Sequence, residues 1–301
     1  MKNRSVLEFL PLSVDSLPKV YPYLKKFRGM SCDYTAGGLL MWIDYFKYEY
    51  CVYGDTLFLK GVAEDDTDCV AFSQPLGSMP LAESVELLRE YCEERNLNLV
   101  FSAITEFNLE KFIYLTPRSV YPLRQWSDYI YTMDALSTLS GKKLGKKRNH
   151  CNRFTQENPN WGTEQITKDN ILSVRACFAE ICSDENVSPM ALYERTQVWK
   201  VLDRLRDYPF ETMCLKSGGK VVAFTVGEVM NNVLHIHIEK ALREVNGSAE
   251  TINWQFARYI QEKYPQVEWI NRQDDAGDEG LRRSKQSYYP AFLLGKYNVV
   301  F

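Results

Sequence analysis

Twice along this chain a run of β-branched and aromatic residues doubles back at a glycine-containing turn, and that repetition limits the folds open to it. The first run is Tyr48-Glu49-Tyr50-Cys51-Val52-Tyr53, which turns at Gly54-Asp55 into Thr56-Leu57-Phe58-Leu59-Lys60. The second covers residues 210–216, turns at Ser217-Gly218-Gly219 and continues over 220–229. Each predicts a β-hairpin, because glycine supplies the positive φ that tight turns between strands require. Locally paired antiparallel strands argue against a Rossmann-type parallel sheet in either half.

The surroundings of the hairpins repeat as well. Val14, Leu17, Val20, Leu24 and Phe27 recur at intervals of three and four, which predicts an amphipathic helix whose first half Pro18 and Pro22 weaken. After the first hairpin come an acidic surface loop at 64–68, a strand at 69–73, a helix over Leu81–Arg95, a strand at 97–104 and a short helix from Asn108. The second half predicts helices at 168–182 and 189–206, the hairpin, and a strand at 233–239. A helix at 249–263, a strand at 267–271, a helix at 279–289 and a closing strand at 292–301 follow. Short echoes, such as Val70-Ala71-Phe72 against Val222-Ala223-Phe224, suggest a duplication. The expectation is an α/β (α+β) chain of two domains, residues 1–127 and 128–301, each with a sheet of about five to seven strands.

Composition narrows the partners. A formal charge of −3 on 301 residues gives no global pull toward nucleic acid or membrane, so no DNA partner is expected and any anionic partner needs a local patch. The cysteines are scattered, without a C-x-x-C pair, which argues against a zinc ribbon or disulfide framework and favours a cytoplasmic protein. The basic start at residues 1–5 leads only into a short apolar stretch ending at Pro11, which does not read as a signal peptide. No apolar run approaches the ~20 residues of a transmembrane segment.

Four features can carry chemistry. The densest is residues 141–154, which hold six cations (Lys142, Lys143, Lys146, Lys147, Arg148, Arg153) and no acid. On a helix, Lys142, Lys143, Lys146, Lys147, His150 and Arg153 share an arc of roughly 140°, offering cations to phosphate groups, with a solvated basic face as the plain alternative. The second is residues 280–290. Arg282 and Arg283 have acids four residues before them, whereas Lys285 has none at three or four positions and shares a face with Tyr288. The third is the strand-to-helix connection carrying Arg243, Asn246, Gly247, Ser248 and Ala249, where backbone N–H groups can hold a phosphate or Ser248 can simply cap the helix. The fourth is His235 and His237 on one side of a strand, read as a hydrogen-bonded pair rather than metal ligands. No G-x-S-x-G, H-E-x-x-H or Walker loop is present.

Asp128-Tyr129-Ile130-Tyr131, the 141–154 stretch, and Gly280-Leu281 with Lys285, Tyr288 and Pro290 together resemble a bacterial family. Its relatives are the C-terminal transferase domain of phosphatidylglycerol lysyltransferases and, more remotely, Fem-type aminoacyltransferases. The resemblance implies two tandem Gcn5-related N-acyltransferase-like domains with mixed, largely antiparallel sheets. It also implies transfer of an acyl or aminoacyl group to a small-molecule or peptide amine, or to a hydroxyl. The donor it implies is coenzyme A thioester (acyl-CoA) or, alternatively, aminoacyl-tRNA. By position, residues 243–249 are similar to the pyrophosphate loop of Gcn5-type enzymes, although Arg243 precedes Gly247 by four residues where that motif has three. Lys147, Arg148 and Arg153 join this loop as expected donor-binding residues. Glu228, His237 and Glu239 are candidate bases, Tyr288 a candidate acid and Lys285 a candidate oxyanion or phosphate contact. A degenerate, non-catalytic binding module and an RNA-associated protein remain open alternatives.

Overall fold

A computed structural model of the chain describes residues 6–183 and 187–301. The basic start at residues 1–5 lies outside them. The first compact unit comprises Met1–Asp128, Asp274–Gly277 and Leu293–Phe301, and the second Tyr129–Gln273 and Asp278–Phe292.

In chain order the first unit takes β1 (Leu10–Pro11), α1 (Leu17–Leu24), α2 (Ala36–Met41), β2 (Glu49–Tyr53), β3 (Thr56–Ala63), β4 (Asp66–Phe72) and β5 (Leu76–Gly77). It continues with α3 (Leu81–Arg95), β6 (Val100–Thr105), α4 (Glu106–Ile113) and β7 (Ser119–Pro122). Then follow β8 (Asp128–Thr132), α5 (Met133–Thr138), α6 (Gly145–Glu157), β9 (Gly162–Glu164), α7 (Ile171–Ile181), α8 (Pro189–Asp203), β10 (Glu211–Ser217) and β11 (Lys220–Met230). After them come β12 (Val233–Ala241), α9 (Ser248–Lys263), β13 (Trp269–Asn271), α10 (Glu279–Gln286), β14 (Phe292–Leu294) and β15 (Lys296–Val300).

The first sheet has the order β1-β2-β3-β4-β6-β15-β7, with β5 also on β3, and the second runs β14-β8-β13-β12-β11-β10-β9. Both predicted hairpins form, as β2/β3 and β10/β11. Each sheet contains a parallel pair crossed by a helix: β4 and β6 across α3, β12 and β13 across α9. A parallel pair needs such a crossover, so the same device recurs in both units. The first core gathers Phe58, Phe72, Leu88, Phe101, Phe112 and Val299. In the second, Phe256 and Ile260 on α9 are fully buried, each contributing about 1.5–3 kcal/mol of hydrophobic stabilisation.

Three expectations need correction. The single closing strand at 292–301 is two strands in different sheets, separated at Gly295, so β15 completes the first sheet rather than the second. The 128–301 division therefore does not hold for Asp274–Gly277 or Leu293–Phe301, which pack with the first unit. The acidic stretch 64–68 is a tight turn running into β4, and Glu64 turns back on the sheet, its backbone N–H donating to Ser102 at 3.2 Å.

Candidate active site

The second unit brings its polar side chains together around one carboxylate. Glu239, near the end of β12, accepts from Arg272 Nη2 at 2.7 Å on one oxygen and from Asn253 Nδ2 at 2.8 Å on the other. Arg272 follows β13 directly, and Asn253 lies fully buried on α9. The arrangement leaves two buried atoms without a partner: Arg272 Nη1, a donor, and Asn253 Oδ1, an acceptor. Buried polar atoms are almost always satisfied, so an orphaned donor and acceptor flanking one carboxylate mark a place for a polar group.

Tyr288 covers this cluster. It is only 4% exposed. The Arg272 guanidinium lies 4.5 Å from its ring centroid and the Lys147 ammonium 4.1 Å from it. Lys147 also pairs with Glu250 of α9 at 3.2 Å. Burial pushes the Tyr288 hydroxyl well up, with Glu239 and Glu250 adding to it, so the phenol keeps its proton through the neutral range. Burial alone would pull Arg272 down, but the Glu239 charge and the two tyrosines, Tyr131 and Tyr288, outweigh it and hold the guanidinium charged. Burial raises the neighbouring Cys151 thiol to about 12, which removes it as a nucleophile.

Of the residues expected to be catalytic, Glu239 and Tyr288 stand in this cluster. Lys285 supports it from below its surface: 7% exposed, it donates to the Arg272 carbonyl at 2.7 Å, and its own carbonyl accepts from Tyr131 at 2.8 Å. This hydrogen bond gives the Lys285 ammonium a structural task, fastening α10 to the residue that follows β13. Glu228 and His237 form a separate buried pair, with His237 Nε2 3.4 Å from a Glu228 oxygen and Nδ1 2.9 Å from the Gln273 amide. The registers Val226↔Ile238 and Gly227↔Ile236 leave His237 as the extra residue of a β-bulge, which re-aims its ring. The rings of His235 and His237 lie 6.4 Å apart and nearly parallel.

The donor-binding expectations fare differently. Among the expected cations Lys147 alone reaches the cluster. Arg148 donates to the Leu139 carbonyl at 2.5 Å and the Gly141 carbonyl at 3.3 Å, tying down the turn before α6. Arg153 pairs along the helix with Glu157 at 2.7 Å. The basic helix therefore has acidic partners after all, Glu250 and Glu157. In the 243–249 connection, Gly247 (φ 78°) rather than Ser248 caps α9, and the Ser248 hydroxyl donates to the Val245 carbonyl at 2.7 Å. A Cβ on Gly247 would stand 2.4 Å from the His150 carbonyl oxygen, so this glycine is required by the close approach of α6. Arg243 and Asn246 are exposed on the same connection, and Ala249 is exposed in the first turn of α9.

Sequence reasoning missed Arg272 and Asn253, since a lone polar residue beside a short strand or inside a helix carries no pattern. It also missed a buried cluster in the first unit. There Lys296 lies 2.8 Å from Asp33 and 2.9 Å from Asp128, with Cys32 Sγ 3.3 Å from Asp128. Ligand-type atoms of Cys32, Asp128 and Asp274 lie within 4.8 Å of one another, and the Lys296 ammonium pairs with Asp128 of this group. No disulfide is formed among the described residues, and no helix of these residues is long and apolar enough to cross a membrane.

Two mixed sheets, each with a helix-crossed parallel pair, define a chain of tandem Gcn5-related acyltransferase-like folds. FemX shares this architecture at a TM-score of 0.62 and 7% identity, over 98% of this chain and 97% of that one. The chain belongs to the phosphatidylglycerol lysyltransferase C-terminal family, which matches residues 26–300. A conserved protein of unknown function from Bacteroides thetaiotaomicron is similar at a TM-score of 0.87 and 27% identity, over 98% of this chain and all of that one (100%). The L-PGS structure from Bacillus licheniformis is similar at 0.66 and 16%, over 99% and 94%. An uncharacterized protein of Mycoplasmoides gallisepticum is 25% identical over 174 residues, 58% of this chain and 56% of the relative, so the match spans little more than half of that protein.

Proposed function

We propose that the protein is an aminoacyltransferase that takes an amino acid from an ester donor of the aminoacyl-tRNA type and passes it to a hydroxyl or amine. The observation that carries this reading is the orphaned pair beside Glu239, the donor Arg272 Nη1 and the acceptor Asn253 Oδ1. An aminoacyl ester carries a carbonyl acceptor and an α-ammonium donor on adjacent carbons, which is the complementary pattern. An acyl-CoA without an amino group would leave Asn253 unsatisfied. Gly247 has a packing reason of its own, so its presence does not by itself call for a coenzyme A pyrophosphate loop.

In this reading the acceptor's oxygen or nitrogen attacks the ester carbonyl carbon while the bond to the donor's ribose oxygen breaks. Arg272 Nη1 stabilises the developing oxyanion, and Asn253 Oδ1 holds the α-ammonium. Glu239 fixes both side chains. The protonated Tyr288 phenol supplies a hydrogen bond, and finally the proton, to the departing ribose oxygen. The acceptor's proton balances that transfer.

The test is transfer of radioactive lysine from lysyl-tRNA to an organic-soluble product with phosphatidylglycerol vesicles, and to soluble amines in parallel. Asn253→Leu should raise the KM for lysyl-tRNA roughly tenfold or more, as expected when a hydrogen bond to a charged substrate group is lost. Failure of the parent protein to move lysine to any acceptor, beside a coenzyme A-dependent transfer of a simple acyl group, sinks the aminoacyl reading.

A further inference from the structure

The outward side of α4, in the first unit, carries large rings where a solvent face has no need of them. Phe112 faces the core and is fully buried, while Phe107 is 64% and Tyr114 76% exposed. Tyr114 follows the last residue of α4 but keeps helical backbone angles (φ −60°, ψ −20°), so helix geometry places both rings. Seven residues fall about 20° short of two full turns, which sets the rings in one line along the helix, away from Phe112. Glu110 and Lys111, three and four residues after Phe107, stand about 50° to either side of that line, midway between the rings. Both are exposed. Glu110 accepts from the Tyr114 hydroxyl at 3.2 Å, and Lys111 donates to the Asn108 side chain at 2.9 Å. Neither joins an ion pair among the described residues.

We infer that this face is the contact of a homodimer, in which α4 packs in parallel against α4 of a second copy about a two-fold axis running along the helices. Such an axis sets each flank of one helix against the opposite flank of the other. Glu110 therefore meets Lys111 of the second copy, and Lys111 meets its Glu110. Phe107 and Tyr114 each face their own counterpart, as an isologous contact requires. An antiparallel arrangement would instead set acid against acid and base against base, which costs affinity. The same charge pattern favours a second copy over other occupants. An anionic bilayer or a polyanion calls for cations alone, whereas one acid and one base here cancel. Two faces this short bury less than about 1,200 Å² in total, the class of weak, transient contacts. The inference concerns the first unit alone and is independent of the transferase reading.

Analytical ultracentrifugation of the full chain over roughly 1–300 µM, the range suited to a weak contact, at low and high salt, measures the association. The parent should pass from monomer to dimer across that range, and less readily at high salt. Glu110→Lys alone, or Lys111→Glu alone, should weaken the dimer roughly tenfold by opposing like charges. The Glu110→Lys/Lys111→Glu double variant only exchanges the flanks, so it should return to within about threefold of the parent. Phe107→Ser should abolish the dimer and, at a dilution where the parent is monomeric, melt with it, because an exposed ring carries little of the fold. A parent that stays monomeric throughout overturns the inference, and so does a dimer indifferent to Phe107→Ser. A double variant as weak as either single one overturns the parallel pairing. Binding of a monomeric parent to vesicles of anionic lipid, lost in Phe107→Ser, would give the face to a membrane and overturn the dimer.

Discussion

Arg272 reaches Glu239 at 2.7 Å with one nitrogen and leaves another, Nη1, buried without a partner. The pair is therefore both a fastening between the strand ends that carry it and a donor held in reserve. Breaking it from one side exposes the asymmetry of buried charge pairs, where the partner left behind costs more than the pair was worth. Arg272→Met should destabilise by about 3–5 kcal/mol, and adding Glu239→Gln should return part of that loss. Urea unfolding of the two single variants and the double variant measures the coupling. Additive losses would show that the two side chains do not depend on each other.

Lys285→Ala should lower stability by about 1.5–3 kcal/mol, the range for a hydrogen bond to a charged group, because the ammonium holds the Arg272 carbonyl. A variant that melts with the parent and loses only ligand affinity would return Lys285 to the role of ligand contact.

Gly247→Ala should cost about 1–3 kcal/mol, since the added methyl meets the His150 carbonyl at 2.4 Å and the residue must keep φ 78°. Thermal melting together with coenzyme A titration separates the causes. A fully stable variant that no longer binds coenzyme A would restore this connection as a pyrophosphate loop.

In the first unit, burial and the Asp33 carboxylate push the Glu64 carboxyl well above its ordinary 4.5, against the pull of Lys296 and with smaller contributions from Asp274 and Asp128. The folded protein then binds this proton more tightly than the unfolded chain. The stability it contributes is fully present below 4.5 and is lost as pH rises through the folded value. Glu64→Gln has no proton to lose, so its melting temperature should fall less than the parent's between acid and neutral pH. Parallel melting curves for the two proteins across that range would contradict the assignment.

Both hairpins were legible because their turns sit at residues with positive φ, Gly54-Asp55 and Gly218-Gly219, between uniformly β-forming runs. The split between β14 and β15 was not, since apolar, β-forming residues stand on both sides of Gly295 and sheet membership depends on partners far away in sequence. Glu239 and Tyr288 could be named from a strand and a helix end. Their organiser, Arg272, could not, because its role arises from a meeting with Asn253 and Glu239 that no local spacing encodes. Lys147 was singled out for lacking acids nearby, yet Glu250, some hundred residues on, supplies one. The bulge at His237 likewise depends on how β11 and β12 register, which alternation along β12 alone does not reveal.

β15 lies between β6 and β7, and Asn298 accepts from Ser102 across 196 residues of sequence. During synthesis the ribosome therefore releases every other strand of the first sheet well before the one that joins two of them. The usual order, in which the N-terminal part folds first, is reversed here. The second unit has nearly all its strands in hand while the first still waits with β6 and β7 unjoined. Through that interval the nascent chain presents two open strand edges, where a holding chaperone would be expected to sit, and a message truncated before codon 296 would leave the earlier half, rather than the later one, unable to mature.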